Sequence, residues 1–88
     1  MKEKDFEKIF KALANRRRLA IIRYLKKRKS ATVGSVAGEI KLSFKSTSKH
    51  LNILFAADLV DREQRDLQKF YSLSDSLPDF IKPVILIL

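Results

Sequence analysis

The sequence contains no cysteine. That removes disulfides, thiolate metal sites and thiol chemistry together. Its one histidine, His50, cannot build a catalytic zinc site alone, so no metal and no cofactor is expected. Only two Gly and two Pro occur in 88 residues. The chain should therefore be mostly regular structure with short connections. No apolar run reaches the roughly 18 residues of a spanning helix, so no membrane partner is expected. The charged, amphipathic start MKEKDFEKIFKAL does not read as a secretory signal. A soluble, cytoplasmic protein is the expectation. Paired carboxylates in a cleft pattern, a phosphate loop and a nucleophile–base constellation are all missing, so the chain is not expected to be an enzyme.

What is present is core-forming residues and positive charge. Apolar residues make up 45%, which suits one small domain over 1–88. A chain this short buries a modest fraction of its surface, so a partner subunit would help it. The formal charge is +9 and the isoelectric point near 10.1, a balance that favours a polyanionic partner. The excess is not spread evenly. Residues 1–29 hold 12 Lys/Arg and 3 acids, residues 30–60 hold 3 and 2, and residues 61–88 hold 4 and 5.

Periodicity predicts the helices. Phe6, Ile9, Phe10 and Leu13 fall at i, i+3, i+4, i+7 and mark the first. Asn15 can break and re-cap the chain. A second helix carries Leu19, Ile22 and Leu25 on one stripe and ends in Lys26-Lys27-Arg28-Lys29, where cations suit the dipole. A third starts near Thr32, a candidate N-cap, with Val33, Val36, Ala37 and Ile40 as its buried stripe. A fourth runs from the N-cap Ser43 to about Ala57. Thr47, Leu51, Leu54 and Phe55 form its underside; Phe44, Lys45, Ser46, Ser48, Lys49 and Asn52 form its outer face. About three residues join the third and fourth helices. That is a helix-turn-helix with the second member as the reading helix.

After Asp58 the period becomes alternating. Residues 59–63 and 67–73 read as strands joined at Gln64-Arg65-Asp66, and a short hairpin after a reading helix is a wing. The fold class is mainly α with a small β-hairpin: a homodimeric winged helix-turn-helix in the order ααααβ(β)α. At the end, Leu77, Phe80, Ile81, Val84, Ile85 and Leu88 form an apolar segment. Pro78 suits a first helical turn, whereas Pro83 implies a kink or a late start. The tail 84–88 is apolar all round and argues for a dimer contact. Residues 1–14 and 75–88 are taken as the dimerisation helices, with Phe6, Ile9, Phe10, Leu77, Phe80, Ile81, Val84, Ile85 and Leu88 at the interface.

This pattern resembles the ArsR/SmtB-type winged-helix transcriptional regulators. Lys11-Ala12-Leu13-Ala14-Asn15 with Arg18-Leu19 is similar to that family's K-A-L-A-D-x-x-R-L. Leu42-Ser43, then Ser48-Lys49-His50-Leu51 and Leu54, is similar to L-S-x-S-x-V-S-[RK]-H-L-x-x-L. Ala57-Asp58-Leu59-Val60 resembles A-G-L-V, and Lys69-Phe70-Tyr71-Ser72-Leu73 resembles the returning wing strand. The resemblance implies a homodimer, paired through its first and last helices, that binds operator DNA and represses transcription. Three departures stand out. The family's thiolate pair falls on Thr32 and Gly34, which are not ligands. The last helix offers Asp75 and Asp79 without His, a poor transition-metal site. Family glycines fall on Lys41 and Asp58, where a left-handed backbone would disfavour a side chain.

The candidate DNA contacts are Thr32, Ser43, Phe44, Lys45, Ser46, Ser48, Lys49 and Asn52 at the reading helix, and Arg62, Arg65, Gln68 and Lys69 on the wing. Lys can donate to guanine O6 and N7, and Asn can pair with adenine. Ser hydroxyls at a helix start hold phosphate. The plainer reading is a solvated polar face. Phe44 either packs on thymine methyls or folds back onto the core. Asp61, Glu63 and Asp66 sit among the wing cations and either repel phosphate or pair with them. Arg16, Arg17 and Lys26 to Lys29 either attract DNA at long range and touch flanking phosphates, or form a solvated helix end. Arg18 is a DNA contact or an internal tie. His50 reads as a packed structural residue. Gly34 and Gly38, one turn apart, allow a close helix approach or mark a weak helix. The expected partners are double-stranded DNA with a palindromic operator and a second copy of the chain, on the nucleoid when bound. The alternative is an interaction module docking on another protein through the apolar C-terminal segment.

Overall fold

Three capped starts divide the helical part of the chain. The Asn15 side chain accepts from the Arg18 N–H at 3.1 Å, Thr32 from Ser35 at 3.1 Å, and Ser43 from Ser46 at 3.1 Å. Each satisfies one otherwise orphaned donor of a first turn. The computed structural model describes residues 1–88. It places α1 at Glu3–Leu13, α2 at Arg16–Lys27, β1 at Ala31–Thr32, α3 at Val33–Ile40 and α4 at Phe44–Ala56. Then follow β2 at Val60–Arg65, β3 at Gln68–Leu73 and α5 at Lys82–Ile87. The strands form one antiparallel sheet in the order β1-β3-β2. The fold is that of a winged helix-turn-helix, mainly helical with a small hairpin.

One core joins every layer. Ile9, Ala12 and Leu13 of α1 meet Ile21, Ile22 and Leu25 of α2. Val36 of α3 and Leu51 and Leu54 of α4 close it from the side of the helix-turn-helix. Leu59, Val60 and Tyr71 bring in the hairpin, and Ile81 and Ile85 the last helix. Each such Leu or Ile contributes about 1.5–3 kcal/mol by leaving water.

The two helix ends that lack the family's glycine are both left-handed. Lys41 has φ 55° and Asp58 φ 58°. In each case the next N–H reaches back into the last turn: Leu42 donates to the Ala37 carbonyl at 3.1 Å, and Leu59 to that of Leu54 at 3.1 Å. This is the Schellman arrangement, in which Gly is the favoured residue. Lys41 therefore carries backbone strain of roughly 1–2 kcal/mol, and Asp58 less.

Five expectations need correction. The strand β1 was not expected; Ala31 pairs with Tyr71 and Thr32 with Phe70, so the wing has a third strand at its root. The hairpin turns later than expected. Arg65 still pairs with Gln68, which leaves Asp66 and Leu67 as the turn, with Asp66 left-handed at φ 55°. Segment 75–88 is not one helix. Its helix begins only at Lys82, the late start that Pro83 implies, with Pro83 in the first turn where no N–H is missed; Pro78 lies in the turn before it and not in a first helical turn. Ile9, Ile81 and Ile85 are 5%, 1% and 4% exposed. They belong to the core of the protomer and cannot meet a partner. Leu77 and Leu88, half-buried, pack against that same core.

Candidate nucleic-acid interface

The helix α4 is fixed from below and open above. Thr47, Leu51 and Leu54 have no exposed surface. Helical geometry then turns Lys45, Lys49 and Asn52, at i, i+4 and i+7, to solvent, and all three are exposed. Ser46 and Ser48 are half-buried beside them. Phe44 does not fold back; it is 64% exposed. Lys41, Leu42 and Ser43 make the turn from α3. The Ser43 hydroxyl caps α4 and keeps its O–H free to donate. Thr32 has less to offer, since its hydroxyl accepts from Ser35 N–H and donates to Ser35 Oγ at 3.1 Å.

The wing stands beside α4. Thr32, Phe44, Ser48, Gln68, Lys69 and the wing-tip Leu67 line a cleft of about 380 Å³ over Tyr71. Pairing across the hairpin puts Arg62 with Tyr71 and Gln64 with Lys69 on the face toward the helices. Glu63, Arg65 and Phe70 lie on the other face. Two of the four wing candidates are already engaged within the protein. Arg62 lies over the Phe55 ring, 4.0 Å from its centroid, and donates to Asn52 Oδ1 at 3.4 Å. Arg65 pairs with Glu63 and stacks over Phe70 at 4.5 Å. Lys69 remains on the face toward the helices, and Gln68, opposite Arg65, borders the cleft at the end of the hairpin. One residue was missed: Leu67, 96% exposed at the tip. The only signal for it was an apolar residue next to a turn.

Arg18 is an internal tie. It donates to the carbonyls of Ala12 and Lys11, the latter at 3.1 Å, and so holds the end of α1. Its third contact is with His50 of α4, Nη1 to Nδ1 at 3.1 Å. Guanidinium has donors only, so Nδ1 accepts and His50 is neutral with its proton on Nε2. Burial, and then the positive charges of Arg18 and Arg17, hold this imidazole below its ordinary value of 6.5. Arg17 also reaches the Ile40 carbonyl at 2.9 Å, tying α2 to the end of α3.

No three His, Asp or Glu side chains stand close enough to share a metal ion. The exposed apolar residues gather elsewhere. Phe6, Phe10 and Phe80 form a ring cluster, with Phe80 4.9 Å from Phe6 and 5.9 Å from Phe10. Phe10, Val84, Leu86 and Ile87 are 54%, 40%, 74% and 83% exposed. No helix is long and apolar enough to cross a membrane.

Comparison with known proteins agrees with this geometry. The sequence model of the family described as "Bacterial regulatory protein, arsR family" matches residues 15–62, from the cap of α2 into β2. The arsenical resistance operon repressor of Bacillus subtilis is 32% identical over 72 residues, which cover 82% of this chain and 69% of the repressor. Among solved structures, HlyU from Vibrio cholerae superimposes with a TM-score of 0.81 at 29% identity, covering 99% of this chain and 92% of HlyU. The homodimeric winged helix-turn-helix DNA-binding domain Mb0332 of Mycobacterium bovis also has a TM-score of 0.81, covering 96% of this chain and 74% of that domain. At 21% identity this second likeness is one of fold. With the family's sequence model spanning its helix-turn-helix and a repressor among its relatives, the chain belongs to the arsR family of bacterial regulatory proteins.

Proposed function

We propose that this chain is a dimeric repressor that reads a palindromic operator through α4. The observation that supports this most is the row Lys45, Lys49 and Asn52. It faces solvent on a helix whose opposite side is wholly buried. Such a helix fits the major groove and presents a cation pair and the Asn52 amide N–H donors to base edges, its Oδ1 being held by Arg62. Ser43, Ser46 and Ser48 hold phosphates at the groove's rim. Lys69, Gln68 and the exposed Leu67 bring the wing to the neighbouring minor groove, where an apolar tip can lodge. Phe44, exposed at the leading end, meets thymine methyls.

The second copy packs on Phe6, Phe10 and Phe80 and on the outer side of α5, where Val84, Leu86 and Ile87 lie open. So many exposed apolar side chains on α1 and the C-terminal segment suit a partner's cover, and the relative of like fold from M. bovis is homodimeric. No metal is needed for binding, because Thr32 and Gly34 supply no thiolate and Asp75 and Asp79 no imidazole.

Selection of bound DNA from a random pool tests this directly. The enriched sites should be inverted repeats with half-site centres about 34–36 Å apart, and chelators should not change affinity. A pool with no enrichment would overturn the reading and favour docking of the apolar C-terminal face on another protein.

A further inference from the structure

The positive charge of this protein does not lie on the face that reads DNA. Residues 30–88, with α4 and the wing, hold seven basic and seven acidic residues; the whole excess is in residues 1–29. Three ion pairs occur in the protein: Lys11–Glu7, Arg65–Glu63 and Lys82–Asp79. None uses a cation between Arg16 and Lys29. Four of those cations donate to backbone carbonyls: the half-buried Arg18 and, at the surface, Arg17, Arg23 on Leu88 at 3.1 Å and Lys26 on Leu86 at 3.0 Å. Lys27, Arg28 and Lys29 are left exposed at the end of α2. Arg28 is held in place by the Tyr24 ring, 5.0 Å away, and not by an acid.

Arg28 and Lys29, with Lys27 next to them in the chain, mark the edge of a groove of about 670 Å³ between the end of α2 and the outer face of the wing. Lys26, Arg28 and Lys29 line one side. Arg65, stacked on Phe70 two residues from the wing tip, lines the other. The acids in it are Glu63 and Asp75, and Glu63 is neutralised by Arg65. The groove therefore carries net positive charge. It starts next to the wing tip and runs back along the side away from α4.

We propose that this groove takes the phosphate backbone of the DNA flanking each half-site, so that the duplex bends around the outside of the wing. The inference rests on the operator-reading role above. A tip lodged in the minor groove leaves the next stretch of duplex beside Arg65, and a bend toward the protein brings its phosphates to Lys27, Arg28 and Lys29. Clustered lysines and arginines with no acid partner suit a polyanion and need no base edge.

The test compares two probes carrying the selected operator, one ending at its edges and one extended by about one helical turn on each side. The parent protein should bind the extended probe on the order of tenfold more tightly, with a steeper salt dependence. The variant Lys27→Gln/Arg28→Gln/Lys29→Gln should bind the short probe as the parent does and gain nothing from the extension. An unchanged melting temperature will show that it is folded. Circularly permuted probes should lose their mobility differences with the variant. Equal parental affinity for both probes overturns the flank contact and leaves the operator reading intact. So does a variant weakened equally on both, which would make these cations a source of general attraction only. A parent that selects no operator removes both.

Discussion

The helices α2 and α4 are almost the same length and solve the same packing problem. Each buries one stripe, Ile21, Ile22 and Leu25 in one case and Thr47, Leu51 and Leu54 in the other. Their outer faces differ. Between Arg16 and Lys27, α2 carries five exposed cations besides the tied Arg18; α4 carries two lysines set among serines and an asparagine. Number of charges attracts any duplex, because phosphates are everywhere along it. Discrimination needs few groups with distinct donors and acceptors at fixed places. On the proposed function, attraction falls to α2 and reading to α4.

The most damaging way to break this comparison is from beneath. Leu51→Ala should cost about 2–5 kcal/mol of unfolding free energy, as should Ile22→Ala, because both positions are fully buried. Chemical denaturation measures this, and a loss under 1 kcal/mol at either would mean that the core is not where it is described. From above, the two helices should separate. Lys49→Ala should weaken operator binding by about 1–3 kcal/mol and relax preference at one base pair, whereas Arg16→Ala should weaken all sequences alike. Identical selection profiles for the two variants would dissolve the distinction.

Smaller effects sharpen it. The Thr47 hydroxyl is buried without a partner. Thr47→Val should raise stability by about 1–2 kcal/mol, with DNA affinity unchanged. Lys41→Gly should add roughly 1 kcal/mol by relieving the left-handed backbone, and Asp58→Gly less. The smallest effect is on pH. The unfolded chain takes up the His50 proton near 6.5 and the folded protein only at lower pH. Between those values the unfolded state holds more protons, so stability rises with pH. The contribution is whole above 6.5 and is lost as pH falls through the folded value. In His50→Gln that slope should flatten, which melting curves over this range will show.

The helices were legible because their signals are local. Asn15, Thr32 and Ser43 cap within three residues of themselves, and the i, i+3, i+4 stripes repeat over several turns. The strand β1 was not, since two residues make no period and Ala31 is recruited by Tyr71 forty positions away. The turn falls later than the pattern implies because Leu67 is apolar and so reads as strand, although it points into water. The apolar stripes of Ile9, Ile81 and Ile85 suit a dimer interface as well as a core, because a stripe does not say which surface will cover it. At the candidate interface, the exposed row on α4 followed from the buried stripe below it. The wing did not follow: no sequence rule shows that Arg62 would lie on Phe55, or that Arg65 would turn to Phe70.

That placement of Arg62 has a mechanical consequence. Its guanidinium bolts β2 to α4, with Phe55 beneath and Asn52 at its edge. The two parts that would enter adjacent grooves cannot swing independently while the bolt holds. In the proposed dimer each protomer would then act as a gauge of fixed jaw width, and tolerance for operators of unequal spacing would reside at the seam between the two copies.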